Sequence, residues 1–317
     1  MIISERDEIV APRLGVAVVG CGGAGNNALN NLDFEGTDNL KTIALNTDAG
    51  HLVRVKANRK ILIGREFTGG RGAGGNVALA RRAAELSRDR LKTELLGSSL
   101  VFILSGMGGG TGTGTAPVVA SVARETGALA VSITSMPFDF ERGRVERARD
   151  YVRELIHESD STVIMENSRL VRQFPELTMQ QAFAVMDTLT SQIVTNVSGS
   201  ILKPSLMNID YADMRTIFRG GGTSTVICSE NEDVRALVDD AARHPLLQTN
   251  LARASGAVVH VSGGEALTLE KTHGILKGIS DFIGSRAHII MGARQVDRND
   301  GVLSVTAIVT GVRPESW

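Results

Sequence analysis

Short apolar runs recur along the chain, each followed by a glycine-rich or polar stretch and then by residues at helical spacing. Leu14-Gly-Val-Ala-Val-Val19 predicts a buried strand, and further strands are expected over 42–45, 60–63, 100–104, 128–134 and 162–165. Helices are expected from Asn26 or Asn27, over 76–91, after Gly114 with Pro117 in the first turn, and over 141–157. Strands alternating with helices predict a parallel sheet covered on both faces, which binds ligands outside the carboxyl ends of its strands. From Leu177 to Val197 the apolar positions Met179, Phe183, Met186, Leu189, Ile193 and Val197 fall on one helix face. This predicts a long connecting helix. Beyond it, strands over 223–229, 257–261, 287–291 and 303–310, with helices over 232–243 and 268–283, predict a smaller mixed-sheet α/β domain. The expected organisation is a lead-in over 1–13, a nucleotide-binding domain over 14–176, a central helix over 177–200 and a C-terminal domain over 201–317.

Composition narrows the class. The 317 residues carry a formal net charge of -1, which gives no support for nucleic acid as a partner. No apolar run approaches the length of a membrane span, so no direct membrane insertion is expected, and no secretory leader is recognisable. Cys21 and Cys228 stand far apart and outside any CxxC pair, which reads as two reduced thiols in a cytoplasmic compartment.

The glycines carry the chemistry. Gly20-x-Gly22-x-x-Gly25 follows the first strand, as in a dinucleotide fingerprint, with Asp48 at about the ribose-binding distance. Alone it is a weak signal that a plain strand-to-helix turn also explains. Gly106-Met-Gly-Gly-Gly-Thr-Gly-Thr-Gly114 is more specific, with six glycines in nine residues. So much glycine is costly in chain entropy and makes sense where the backbone turns through positive φ and aims several N–H groups at one anion. Thr111, Thr113 and Thr115 add hydroxyl donors. No lysine occurs in this loop, so GxxxxGK[ST] is absent, and phosphate charge falls to backbone dipoles and a divalent cation, Mg²⁺, that keeps several waters.

Gly108-Gly-Gly-Thr-Gly-Thr-Gly114 resembles the signature of the tubulin/FtsZ GTPases, and the resemblance to FtsZ runs from about residue 14 to 312. Gly20–Asn27 is similar to the first nucleotide loop of that family, Asn46-Thr47-Asp48 to the second and Gly72-Ala-Gly-Gly-Asn76 to the third, beside the γ-phosphate. Pro137-Phe-Asp-Phe-Glu141 resembles the ribose-side loop, and Leu206-Met-Asn-Ile-Asp-Tyr-Ala-Asp-Met-Arg-Thr216 the loop that completes a neighbour's active site.

The resemblance implies binding of GTP or GDP by Gly22, Gly23, Ala24, Gly25, Asn26, Asn27, Asn46, Asp48, Ala73, Gly74, Gly75, Gly108, Gly109, Gly110, Thr111, Gly112, Thr113 and Glu141. It also implies that Asp187 contacts guanine. A carboxylate suits that role because it accepts from both N1–H and the N2 amino group, a donor pair adenine lacks. A solvated Asp on the polar helix face and a helix-capping Asn27 are the plainer explanations of those two residues. Asn208, Asp210 and Asp213 match the residues that place the attacking water, although acids near a helix start are tolerated without any ligand.

Two departures stand out. Val145 occupies the place of the family's ribose-side arginine, leaving Arg144 or Arg142 to serve, with surface ion pairing an equal explanation. Relatives also usually continue into a linker and a peptide that docks on membrane-anchoring partners, whereas these residues end at Trp317. Head-to-tail assembly with itself, division proteins as partners and a place at the division site are the expectations. A related filament serving cell shape or DNA positioning, and an NAD enzyme that leaves residues 106–114 without a task, are the alternatives.

Overall fold

The computed structural model describes residues 14–32, 39–203, 205–243, 245–297 and 300–314. The expected lead-in over 1–13 and Trp317 lie outside them. The strands are β1 (Val16–Cys21), β2 (Leu40–Asn46), β3 (Arg59–Leu62), β4 (Leu100–Gly106), β5 (Leu129–Met136), β6 (Ser161–Glu166), β7 (Gly222–Asn231), β8 (Gly256–Gly263), β9 (His288–Gln295) and β10 (Leu303–Thr310). The helices of the first half are α1 (Gly22–Asn30), α2 (Ala49–Arg54), α3 (Arg65–Thr68), α4 (Val77–Glu85), α5 (Arg88–Leu95), α6 (Thr111–Glu125), α7 (Arg142–Glu158) and α8 (Asn167–Gln173). Then follow the long α9 (Met179–Leu202), α10 (Tyr211–Phe218), α11 (Val234–Arg243) and α12 (Leu269–Ile283).

All ten strands form one sheet in the order β3-β2-β1-β4-β5-β6-β7-β10-β8-β9. From β3 to β7 every pairing is parallel, whereas β10 runs antiparallel to both β7 and β8. This is the expected α/β architecture, and the sheet continues across the expected domain boundary through a short β6–β7 pairing.

Alternation along each strand builds two cores. In β1, Ala17 and Val19 face a layer with α4 to α7, while Val16 and Val18 face a layer with α1, α9 and α10. Leu100, Phe102 and Leu104 of β4 lie on the α9 side and Val101 and Ile103 on the other, as period-two patterning requires when both faces are covered. The C-terminal strands follow the same rule, with Leu237, Ile275 and Ile279 of α11 and α12 in the first core.

Several elements differ from the expected ones. The first helix begins at Gly22, four residues before Asn26, and α6 begins at Thr111, so Pro117 sits inside a helix rather than in its first turn. In both cases glycines occupy the first helical turn, which helix propensity disfavours and close backbone approach overrides. The helix expected over 76–91 is two helices, broken around Leu86 and Ser87. α9 runs on to Leu202, beyond Val197.

Candidate functional site

The strand order reverses direction between β1 and β4, and Cys21, the last residue of β1, is the register partner of Ser105 near the end of β4. A crevice outside the carboxyl ends at such a switch point is where this architecture places a ligand. Both glycine segments fall there. Gly22 has φ +70°, and a Cβ on it would stand 2.6 Å from the Gly112 nitrogen. A Cβ on Gly25 would lie 2.0 Å from the Leu104 carbonyl oxygen. Gly22 is therefore fixed by contact with the start of α6, and Gly25 by contact with strand β4.

The other loops converge on the same place. The Thr47 hydroxyl is 2.7 Å from that of Thr111, and Gly72 N–H donates to the Thr47 carbonyl at 3.1 Å. A Cβ on Gly110 would meet the Gly75 and Asn76 nitrogens at 3.0 Å. Beside this junction the first loop and the 106–112 loop line a cavity of about 280 Å³. Gly23, Ala24, Gly109, Gly110, Thr111 and Gly112 form its floor, and Glu141 and Arg144 one wall. The α6 N-terminus at Gly110 has no side-chain cap, leaving its first amides free for an anion.

Each remaining candidate has a definite place. Asn46 Oδ1 accepts from the main-chain N–H of Thr47 at 2.9 Å and of Asp48 at 3.2 Å, which shapes the second loop. Asp48 caps α2 by accepting from His51 N–H at 3.0 Å. Asn27 is exposed, with Oδ1 3.0 Å from His51 Nε2, while Asn26 is buried and donates to the Leu45 carbonyl at 3.3 Å. Ala73 is buried and Gly74 exposed on the third loop. Gly108, at φ +87°, packs against the main chain of Arg144. Arg142 and Arg144 are both exposed; Arg144 pairs with Glu141 at 2.6 Å and lines the cavity, while Val145 turns to a neighbouring cleft beside Arg149 and Arg172.

Thr113 is fully buried, as is Thr115, and neither hydroxyl reaches the cavity. Because α6 starts at Thr111, the two threonines lie within the helix and face inward. Of the three threonines after Gly110, Thr111 is the one that lines the cavity.

Asp187 is half-buried on α9, and burial pushes its carboxyl up to about 6. The Ser191 hydroxyl, 2.8 Å from the Ala28 carbonyl and 2.7 Å from that of Asp187, holds this turn of α9 against α1.

The structure adds three cavity residues that the sequence did not single out. Asn167, at the start of α8, is 3% exposed and its Oδ1 has no partner. Phe183 stands edge-on to Phe138 at 5.2 Å, and Ser135 completes the wall. An orphaned buried carbonyl oxygen facing a cavity is a place for a ligand donor.

Asn208, Asp210 and Asp213 are exposed and lie elsewhere. Asp210 caps α10, accepting from Ala212 N–H at 2.8 Å, and Asp213 is in the first turn. Tyr211 beside them donates its hydroxyl to the Ser99 carbonyl at 2.6 Å. Ser99 immediately precedes β4, whereas the cradle follows the other end of that strand. Seven strand residues place the acids and the cradle roughly 20 Å apart within one chain.

Burial pushes the Cys21 and Cys228 thiols up to about 12, which disfavours the thiolate, and neither is in a disulfide. Among the described residues no helix is long and apolar enough to cross a membrane, and no three His, Cys, Asp or Glu side chains gather to hold a metal.

Comparison with known proteins agrees with this fold. The Tubulin/FtsZ family GTPase domain matches residues 15–175, and the FtsZ family C-terminal domain matches 222–313. The chain is 42% identical to cell division protein FtsZ 2 of Haloferax volcanii over 310 residues, covering 97% of this chain and 77% of that protein. It is 40% identical to cell division protein FtsZ 2 of Methanocaldococcus jannaschii, covering 97% and 82%. An empty FtsZ dimer of M. jannaschii superposes with a TM-score of 0.90 at 35% identity, covering 96% of this chain and 93% of that one. A GTPγS-bound protofilament of CetZ2 from H. volcanii shares the fold, with a TM-score of 0.79 at 18% identity over 95% of each chain. A glycine cradle at the switch point, matched along both halves of the sequence, leaves one conclusion: the chain belongs to the FtsZ branch of the tubulin/FtsZ family of GTPases.

Proposed function

We propose that this GTPase assembles head to tail into filaments and hydrolyses GTP where two copies meet. The single observation that carries this reading is the separation of the exposed acids from the cradle along the length of β4. No side-chain rotation spans that distance, so the acids serve a cradle only when it belongs to another copy. A contact joining opposite ends of identical molecules is heterologous and propagates unless it closes. The M. jannaschii dimer and the CetZ2 protofilament, both named as assemblies, support self-association.

In this reading the amides of the 108–112 loop and the α6 N-terminus hold the phosphates, with Ala73, Gly74 and Gly75 beside the terminal one. Asp187 and Asn167 read the guanine edge, and Glu141 with Arg144 flanks the ribose. Asn208, Asp210 and Asp213 of the next copy orient the water in line with the γ-phosphate. The cradle presents amides and hydroxyls rather than a carboxylate set. Mg²⁺ would therefore be held by phosphate oxygens and water, with the Thr47 and Thr111 hydroxyls at hand, and would neutralise charge developing on the transferred group.

A role in cell division, in the cytoplasm at the division site and with membrane-anchoring partners, is favoured over cell shape. The cell division relatives are about 40% identical and the CetZ structures 18–19%. The test is GTP turnover per molecule measured across a wide dilution series, beside electron microscopy with GTP and with GDP. Specific activity that rises with concentration, together with GTP-dependent filaments, is expected. Constant specific activity would show that one copy completes the site alone.

A further inference from the structure

Arg147 lies on α7, one turn beyond Arg144. Its Nη1 donates to the Gly108 carbonyl at 2.7 Å. A Cβ on Gly75 would stand 3.5 Å from the same Nη1, so the guanidinium also touches the third loop. Gly75 and Gly108 both have positive φ, at +81° and +87°, and on Gly108 a side chain would collide with the Arg144 carbonyl at 2.6 Å. Arg147 thus fills the angle between two glycine turns.

The bond fixes more than a loop position. In a trans peptide the C=O and the following N–H point opposite ways. Tying the Gly108 carbonyl outward to α7 therefore turns the Gly109 N–H toward the cavity that Gly109 and Gly110 line. The charge is also distinctive. Arg144 is paired with Glu141, whereas no carboxylate pairs with Arg147 among the described residues. A guanidinium is always protonated, and the 106–114 loop contains no lysine.

We propose that Arg147 is a positioning residue for the triphosphate: it clasps the 106–110 loop to the 72–76 loop and supplies the fixed positive charge that favours GTP over GDP. This rests on the reading of the cradle given above. The extra phosphate of GTP lies toward the junction Arg147 holds, so the effect falls on GTP in particular.

The test is equilibrium binding of GTP and of GDP to wild type, Arg147→Ala and Arg147→Lys, at concentrations below assembly, with thermal melting of each. Arg147→Ala is expected to weaken GTP about tenfold or more, as loss of a charge-assisted contact does, while GDP changes by less than about threefold. Arg147→Lys, which keeps the charge but not the planar fork, recovers part of the loss. Equal weakening of both nucleotides, or unchanged GTP binding, overturns the proposal. If wild type itself binds neither nucleotide, the cradle reading is what fails.

Discussion

The main-chain N–H of Ile209 donates to the carbonyl of Ser200 at 3.1 Å. Two residues earlier, Met207 and Ala293 exchange main-chain hydrogen bonds in both directions, at 3.1 and 3.0 Å. The segment carrying Asn208 and Asp210 is thereby fastened to the end of α9 on one side and to β9 on the other. Its acids are held in place in the single chain, before any neighbour arrives.

That arrangement makes the two ends separable by mutation. Asp213→Ala should keep GTP binding and lose turnover by about a hundredfold or more. Asp187→Ala should bind GTP poorly but present intact acids. Mixed in equal amounts, the two inactive variants should regain activity, because roughly one interface in four pairs a sound cradle with sound acids. Phosphate release from the mixture is the readout, and a mixture no more active than its components rules out shared sites.

Asp187 gives a pH dependence. Its carboxyl, raised by burial from about 3.8 to about 6, must be ionised to accept two N–H groups from guanine. GTP affinity should therefore fall about tenfold per pH unit below 6. The stability effect has the opposite sense. Because the folded-state value is the higher one, this group stabilises the nucleotide-free protein as pH falls from 6 toward 3.8, and its burial penalty is present in full above 6. Asp187→Asn should raise the melting temperature of the empty protein at neutral pH while weakening GTP.

His260 acts against Asp187 over much of the same range. Burial and the neighbouring Arg294 push its imidazole from 6.5 down to about 4. The Ser200 hydroxyl donates to the Asn196 carbonyl at 3.0 Å and lies 2.7 Å from His260 Nδ1, which then donates to it. The fold favours the neutral ring, so its contribution is complete above pH 6.5 and lost as pH falls toward 4. Removing the opposing group exposes this loss: urea midpoints of Asp187→Asn should decline more steeply below pH 6.5 than those of wild type.

Glycines in one loop should divide into two kinds. Gly25→Ala drives a methyl into the Leu104 carbonyl and should cost about 3 kcal/mol or more of stability. Gly23→Ala meets nothing within 4 Å and sits in a helix that prefers alanine, so its melting temperature should hold. Gly23 lines the cavity, and the added methyl should weaken GTP instead. Melting curves and binding isotherms on both variants separate the cases.

The glycine loops were legible because their physics is written in consecutive residues. The strands before them and α9 were legible because their patterns are long. Short helices such as α2, α3 and α8 have too few turns for periodicity to register. Asn167 and Arg147 gave no local signal, and Phe183 read only as part of an apolar helix face, since each meets its neighbours only when the sheet brings distant segments together. The start of α6 at Thr111 was not legible, because close approach of Gly112 to Gly106 and Cys21, rather than propensity, accompanies it. The β6–β7 pairing was invisible for the same reason: α9 and α10 separate the two strands in sequence.

That pairing spans only Ser161↔Gly222, Thr162↔Thr223 and Val163↔Ser224, yet it welds one continuous sheet out of two differently wound halves. A fragment ending after α9 would leave β6 with a raw edge of unsatisfied main-chain groups, the kind of template on which strands from other molecules stack. Truncation would thus swap a soluble fold for a sticky one, and dissection of this enzyme is better served by single substitutions than by cutting the chain at its waist.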